Sequence, residues 1–251
     1  MKAIILGSGT STGVPMVGCH CRVCTSTDRR DRRTRTSLLI RTDSGKNILI
    51  DTSTDLRRQA LRERIRAIDA VLFTHTHADH INGIDDLRGF HFIHRQLVPC
   101  FGTAETISHL LTTFSYIFKG METSGYAPLL EAHIADTAFD LLGARITPVP
   151  LLHGPTTATG YRIDDLAYLT DCSAIPEPSV ALLQGLDTLI IDGLRYTPHP
   201  CHLNIDSALA AIARLRPRRA LLTHLTHEVA HSDGSRLPEG VELAYDGMVL
   251  E

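Results

Sequence analysis

The sequence contains the stretch Thr74-His75-Thr76-His77-Ala78-Asp79-His80, directly after the apolar run 70–73. Its three imidazoles and one carboxylate are ligand types that zinc, manganese and iron prefer. His75 and His77 are two residues apart, so both side chains project to the same side of an extended segment. Asp79 and His80 are adjacent and face differently, which suits a second ion beside the first. The stretch therefore predicts a metal site at the end of a strand.

The composition is that of an ordinary globular chain. Of the 251 residues, 43% are hydrophobic and 21% are charged, and the formal net charge is −3, which gives no basis for binding nucleic acid or an anionic membrane. No stretch approaches the ~20 apolar residues of a membrane span, and the apolar run at 1–7 is too short for a secretory signal. We expect a cytoplasmic protein with a single domain over residues 1–251, whose six cysteines are thiols or metal ligands.

Short apolar runs predict strands in both halves of the chain. One helix is predicted within 55–68, where Leu56, Leu61 and Ile65 recur among charged residues, and another over 204–215, which Pro217 ends. The predicted strands are 3–6, 38–40, 48–50, 71–73, 139–142, 146–149, 160–163, 167–170, 189–191 and 220–222. We expect an α/β fold of two sheets packed face to face, with helices on the outside.

Three further residues of metal-ligand type follow apolar runs: His153, Asp171 and His224. Each alone has an ordinary explanation, because a histidine after a strand is often a buried hydrogen-bonded residue and an aspartate often forms a turn. The same placement occurs three times, however, and strands would deliver all three side chains to a shared edge of the sheets. Four ligands from one loop cannot fill two coordination shells, and these three would complete them.

This ligand pattern resembles the metallo-β-lactamase superfamily, whose HxHxDH motif matches His75–His80. The resemblance covers nearly the whole chain and implies a four-layer αββα sandwich with two metals at one edge. It implies that His75, His77 and His153 hold the first ion. Asp79, His80 and His224 would hold the second, and Asp171 would bridge the two. Asp51-Thr52 matches a strand-end motif of the family, in which Asp51 either orients a ligand or caps the strand.

A cluster of cysteines, Cys19-His20-Cys21-Arg22-Val23-Cys24, precedes the histidine motif. Three closely spaced thiols in a chain without a secretory signal indicate a zinc site that lacks its fourth ligand. His20 could supply that ligand, but His227, three residues after His224, is better placed and would close a Cys3His shell. We expect one structural zinc here, and packed or idle thiols at Cys100, Cys172 and Cys201.

The cysteine cluster, together with Gly7-Ser8-Gly9-Thr10 and Asp246-Gly247-Met248, resembles the phosphoribosyl cyclic phosphate phosphodiesterases of the carbon–phosphorus lyase pathway. This resemblance implies a dinuclear hydrolase of small cyclic phosphates, of the phosphoribosyl 1,2-cyclic phosphate or 2′,3′-cyclic nucleotide type, and it suggests a homodimer. The two active-site ions would be zinc, manganese or iron, which share these ligands. A hydroxide that bridges the ions would attack the phosphorus, so we expect a small anionic phosphodiester as the binding partner.

His202, just before the second predicted helix, is the candidate general acid for the leaving alkoxide. The resembling phosphodiesterases have a catalytic histidine at the matching place, and on that basis we prefer His202 to His199. Asp79 is assigned a catalytic role as well as a ligand role. The basic run 28–35 is either a contact for substrate phosphate or, as we prefer, a solvated loop.

Three other functions remain open on the sequence. A tRNA 3′-processing endoribonuclease would share the fold and the metals, but it clamps tRNA with an inserted arm that is not recognisable here. A thioesterase or lactonase would use the same centre on a carbonyl substrate. A non-catalytic, metal-bearing accessory protein of cofactor biosynthesis would explain the cysteine cluster, although the complete set of seven ligands argues against it.

Overall fold

Two β-sheets organise the chain in the computed structural model, which describes residues 1–119 and 129–251. Within these residues each sheet has seven strands. The first sheet contains β1 (Lys2–Gly7), β2 (Ser37–Arg41), β3 (Asn47–Ile50), β4 (Ala70–Leu72), β5 (Val98–Gly102), β6 (Leu130–Ile134) and β14 (Val249–Leu250). The second contains β7 (Phe139–Leu141), β8 (Ala144–His153), β9 (Thr156–Ile163), β10 (Leu166–Leu169), β11 (Thr188–Asp192), β12 (Arg219–Thr223) and β13 (Val241–Leu243).

Each sheet has an antiparallel half and a parallel half. The first follows the order β14-β1-β2-β3-β4-β5-β6 and is parallel from β3 to β6. The second follows the order β13-β12-β11-β10-β9-β8-β7 and is parallel from β10 to β13. The carboxyl ends of parallel strands meet at one edge of a sheet, where ligands typically bind. The segments that follow β3, β4, β10 and β12 therefore come together at such edges.

Helices cover the outer face of each sheet. Those that follow strands of the first sheet are α1 (Leu56–Arg62), α2 (Ala78–Ile81), α3 (Arg88–His94), α4 (Ala104–Thr113) and α5 (Ser115–Lys119), and those of the second are α6 (Glu177–Leu182) and α7 (Ile205–Leu215). One apolar core lies between the sheets, where Ile40 of the first and Tyr161 of the second are fully buried. Two outer cores lie beneath the helices. The predicted arrangement of two packed sheets with outer helices is confirmed.

The first predicted helix is shorter than its hydrophobic pattern. α1 ends at Arg62 rather than near 68 because Arg64 adopts a left-handed φ of 52°. The amide of Ile65 then bonds the carbonyl of Ala60, and that of Arg64 bonds Leu61, which is a Schellman termination. Ile65 is still only 8% exposed, because it packs on the outer core from the loop. A buried loop residue, Ile65, thus continued the helical spacing of apolar residues beyond the end of the helix.

The second predicted helix is close to α7. Asn204 is its N-cap, and its side chain accepts a hydrogen bond from the amide of Ser207. Strands β5, β6, β13 and β14 were not predicted. No helix in the described ranges is long and apolar enough to cross a membrane.

Candidate metal centre

The first ligand group consists of His75, His77, His153 and Asp171, which come from three separate segments. His75 and His77 follow β4, and His153 is the last residue of β8. Nδ1 of His77 lies 3.2 Å from Nε2 of His153. The Nε2 atoms of His75 and His153 each lie 3.8 Å from Oδ2 of Asp171. The structure therefore brings these four predicted ligands around one point.

The second ligand group consists of Asp79, His80, His224 and the same Asp171. Oδ1 of Asp171 lies 3.1 Å from Nε2 of His80 and 3.3 Å from Nε2 of His224. Oδ2 of Asp79 lies 3.4 Å from Nε2 of His80 and 3.7 Å from Nε2 of His224. One oxygen of Asp171 thus faces each group, which is the geometry of a carboxylate between two cations.

These residues fit two divalent metal ions. Ligand atoms bonded at ~2.1 Å to one tetrahedral ion lie about 3.4 Å apart, close to the separations in both groups. The Nε2 atoms of His75, His80 and His224 and the Oδ2 atom of Asp79 are buried without a hydrogen-bond partner. Leaving such atoms unpaired is costly, and a cation at each group would satisfy them.

In three of the imidazoles, an oxygen atom lies within hydrogen-bond distance of Nδ1. Oδ2 of Asp51 lies 2.7 Å from Nδ1 of His80, and the Thr74 hydroxyl lies 3.0 Å from Nδ1 of His75. The carbonyl oxygen of Cys201 lies 2.8 Å from Nδ1 of His153. Each contact places a proton on Nδ1 and leaves Nε2 free to bind a metal. Asp51, which is fully buried and also accepts from the amide and hydroxyl of Thr74, therefore orients the imidazole of His80.

Backbone geometry at the strand ends also serves the site. Asp51, Asp171 and His224 have left-handed φ values of 62°, 52° and 59°, and each lies within two residues of the end of β3, β10 or β12. A non-glycine residue in this region costs about 1–3 kcal/mol, and such strain concentrates at functional sites. The sharp turn directs each side chain towards the sheet edge.

The charges of the centre suit cation binding. Burial by itself would raise the pKa of Asp171, yet His224 and His80 hold that pKa well below its usual range. Burial would also raise the pKa of Asp79, but contacts with His224 and His80 lower it. Burial lowers the pKa of His75 well below its usual value, so its imidazole is neutral. Burial would lower the pKa of His80 and of His224, but Asp171 and the neighbouring carboxylates raise both. These two imidazoles therefore release a proton when a metal ion binds, whereas the carboxylates and His75 are already in the forms that bind metals.

The cysteine cluster (Cys19, Cys21 and Cys24) surrounds His227. The three Sγ atoms lie 3.2, 3.4 and 3.6 Å from Nδ1 of His227. Sulfur and nitrogen ligands of one tetrahedral zinc lie about 3.6 Å apart, given bond lengths of ~2.3 and ~2.05 Å. The amide of Cys24 lowers the pKa of Cys21 to about 6, so this thiol is a thiolate near neutral pH. All six cysteines of the chain are free thiols.

The basic run contains exposed arginines (Arg29, Arg30 and Arg32) and one buried arginine, Arg33. The Arg33 side chain is fully buried, donates to the carbonyls of Thr226 and Val229, and pairs with Asp31 at 3.4 Å. Arg30 pairs with Asp28 in the same run. Arg33 therefore fixes the loop that carries His227, a role different from both a solvated loop and a substrate contact.

Asp192, the last residue of β11, was not predicted as a site residue. Its Oδ2 lies 2.7 Å from Nδ1 of His202 and also accepts from the amide of Cys172. Asp192 is fully buried, whereas the His202 side chain is 12% exposed, with Nε2 4.0 Å from Oδ2 of Asp171. An aspartate directly after the apolar run 189–191 has the same placement as the predicted ligands, so a signal was present. The His199 ring lies beside that of His202, at 5.1 Å between centroids.

A family model described as a Beta-lactamase superfamily domain matches residues 46–225 of this sequence. The chain belongs to the β-lactamase superfamily. This confirms the superfamily and the metallo-β-lactamase fold that the histidine motif predicted.

Other proteins resemble the chain over its full length. A new diphosphatase from the PhnP family has a crystal structure with a TM-score of 0.92 and 43% identity, covering 100% of this chain and 97% of that one. An octanoyltransferase of Porphyromonas gingivalis is 42% identical over 99% of this chain, which spans 51% of that relative. Zn²⁺-bound PqqB from Methylobacterium extorquens has a TM-score of 0.82, 21% identity and coverage of 100% of both chains, a likeness of fold.

Membership of the superfamily and the likeness to the diphosphatase support the metal-dependent hydrolase that the sequence predicted. The fold implies that it binds divalent metal ions, for which the two ligand groups at the sheet edge have the required chemistry.

Proposed function

We propose that residues 1–251 form a dinuclear phosphodiesterase that hydrolyses small cyclic phosphates of the ribose 1,2-cyclic or nucleoside 2′,3′-cyclic type. The observation that carries this proposal is the pairing of His202 with Asp192 beside both ligand groups. In the proposed enzyme, the first ligand group holds one ion and the second ligand group holds another. Zinc or manganese fits both groups. The cysteine cluster and His227 hold a structural zinc.

Charge supports an anionic substrate. Asp79 and Asp171 offset only part of the charge that two divalent ions bring, so the loaded centre stays positive and favours a phosphodiester over a neutral ester. When bound, the ions supply Lewis acidity towards phosphoryl oxygen and a water of lowered pKa.

His202 supplies the proton that an alkoxide leaving group needs. The Asp192 carboxylate accepts from Nδ1 of His202, which leaves Nε2 directed at the centre. Hydrolysis adds water across one P–O bond of the cyclic ester. The departing sugar oxygen takes the proton from Nε2, and the proton that the attacking water releases restores the protonated His202. A proton donor of this kind contributes about 10²–10⁴ in rate.

A second candidate is hydrolysis of a diphosphate, favoured by the likeness to the PhnP-family diphosphatase. The leaving group is then a phosphate, which needs protonation less than a sugar alkoxide does. His202 would contribute little to that reaction, so its importance distinguishes the two candidates.

The test is hydrolysis by protein reconstituted with manganese or zinc. The substrates are ribose 1,2-cyclic phosphate, a 2′,3′-cyclic nucleotide, a nucleoside diphosphate, a precursor tRNA, a linear thioester and a lactone. We expect preference for the cyclic phosphates, abolished by His77→Ala. Preferred cleavage of the diphosphate, the tRNA or a carbonyl substrate would replace the proposal with the corresponding alternative.

A further inference from the structure

A depression beside His77 is not used by the proposed mechanism. Its floor contains Thr76 and His77, and its walls come from the start of α4 and from β9. We call it the threonine depression, after Thr76, Thr103, Thr157 and Thr159 in its lining. Because Thr76 lies between two residues of the first ligand group, the depression borders that group directly.

Several hydroxyl groups in the threonine depression are available to a ligand. Thr157 and Thr159 alternate along β9 and so project from the same face of the sheet. Within the described part of the chain, the side chains of Thr76, Thr157 and Thr159 have no hydrogen-bond partner. The Thr103 hydroxyl, in contrast, already caps α4 by accepting from the amide of Thr106.

The charge of the depression disfavours a second phosphate. Glu105 is the one charged side chain besides histidine that lines it, and its carboxylate has no partner among the residues described. An anion placed here would be repelled by Glu105, whereas a hydroxyl group could donate to its carboxylate. The depression therefore suits neutral groups that both donate and accept hydrogen bonds.

The lining of the depression does not favour a base. Recognition of a nucleobase commonly uses stacking on aromatic side chains, and only the His75 and His77 rings, which belong to the first ligand group, contribute to this lining. The other lining residues are threonines and Glu105. Sugar hydroxyls match this chemistry better.

We propose that the threonine depression binds hydroxyl groups of the sugar part of the substrate while its phosphate lies at the two ligand groups. The inference rests on the proposed function and deepens it. The preferred substrate class is a sugar cyclic phosphate whose hydroxyls are free and whose sugar carries no second phosphate on the His77 side.

The experiment compares Thr157→Val and Thr159→Val with wild type on ribose 1,2-cyclic phosphate and on bis(p-nitrophenyl) phosphate, which has no hydroxyl groups. Valine keeps the shape of threonine and removes only the hydroxyl. We expect kcat/KM for the sugar substrate, relative to the aryl substrate, to fall roughly threefold to tenfold, mainly through KM. Thr112→Val, whose hydroxyl bonds Ser108 on the exposed side of α4, is the matched control and should leave the ratio unchanged.

A second arm uses Glu105→Lys. With a cation in place of the carboxylate, kcat/KM for 5-phosphoribosyl 1,2-cyclic phosphate should rise relative to that for the unphosphorylated ribose ester. An unchanged substrate ratio in both valine variants and in Glu105→Lys would overturn the sugar subsite, even if cyclic phosphates remain the best substrates. Absence of cyclic phosphate hydrolysis by the wild-type protein would instead overturn the proposed function.

Discussion

Replacement of His202 by alanine is the most informative perturbation of the centre. His202 shares its Nδ1 proton with the buried Asp192 at 2.7 Å, and its Nε2 lies 4.0 Å from Asp171. If His202 protonates the leaving sugar oxygen, its loss lowers kcat on ribose 1,2-cyclic phosphate by about 10²–10⁴. This corresponds to about 3–5 kcal/mol of transition-state stabilisation.

The assay measures kcat on two leaving groups together with metal content. A p-nitrophenolate ion departs without a proton, so hydrolysis of bis(p-nitrophenyl) phosphate by His202→Ala should fall far less than hydrolysis of the sugar ester. His202→Asn is the control for folding, because its amide can still donate to Asp192, which alanine would leave with only the Cys172 amide as partner. Metal content, measured by mass spectrometry, should equal that of the wild type.

Two results would refute this reasoning. Equal losses on both substrates would show that His202 does not protonate the leaving group. Loss of a metal ion would show that it is a ligand, a role that its Nε2 atom could fill beside Asp171 and His224.

Four further predictions concern the surroundings of the centre. Cys21→Ser should remove one zinc per chain and lower the melting temperature, and an unchanged zinc count would contradict the structural site. Asp51→Asn should weaken binding of the ion at His80 by about 10–100-fold in a metal titration, with the first ligand group less affected, because Asp51 orients that imidazole. Arg33→Met should cost about 3–5 kcal/mol in urea denaturation, because it leaves the buried Asp31 without its cationic partner and removes the guanidinium donor from the carbonyls of Thr226 and Val229. The exposed Arg32→Met should cost almost nothing, and equal losses would argue against this role. Burial and the nearby Arg30 and Arg33 lower the pKa of His231. As the pH falls, the unfolded chain therefore binds a proton at this imidazole before the folded chain does. The folding stability that the neutral imidazole contributes is complete above about pH 6.5 and is lost as the pH falls below it. His231→Gln should therefore flatten the melting temperature between pH 7 and pH 5 relative to wild type, and an unchanged slope would contradict this.

Sequence patterns predicted the features that depend only on residues close together in the chain. The spacing of His75, His77, Asp79 and His80 depends only on a strand and the loop after it, and both are encoded within a few residues. Most strand positions were visible for the same reason, since short apolar runs mark buried strands. α1 was overestimated because Ile65 reaches the core without helical backbone, and periodicity cannot distinguish these two forms of burial.

Contacts between distant segments required the fold. No role for Asp192 was predicted from the sequence. Its role depends on a contact with His202, which lies in a loop beyond β11. The function of Arg33 was misjudged because a run of arginines gives no indication of which guanidinium is buried.

By itself, the sequence determined the superfamily, the two-sheet architecture and the chemical types of the candidate ligands. Only the tertiary structure decided which oxygen of Asp171 faces each ligand group, which nitrogen of each imidazole is free, and that Asp192 meets His202. The physical reason is that ligand type is a property of one side chain, whereas ligand geometry depends on strand register and on the turns that end each strand. Those are set by packing of the whole core.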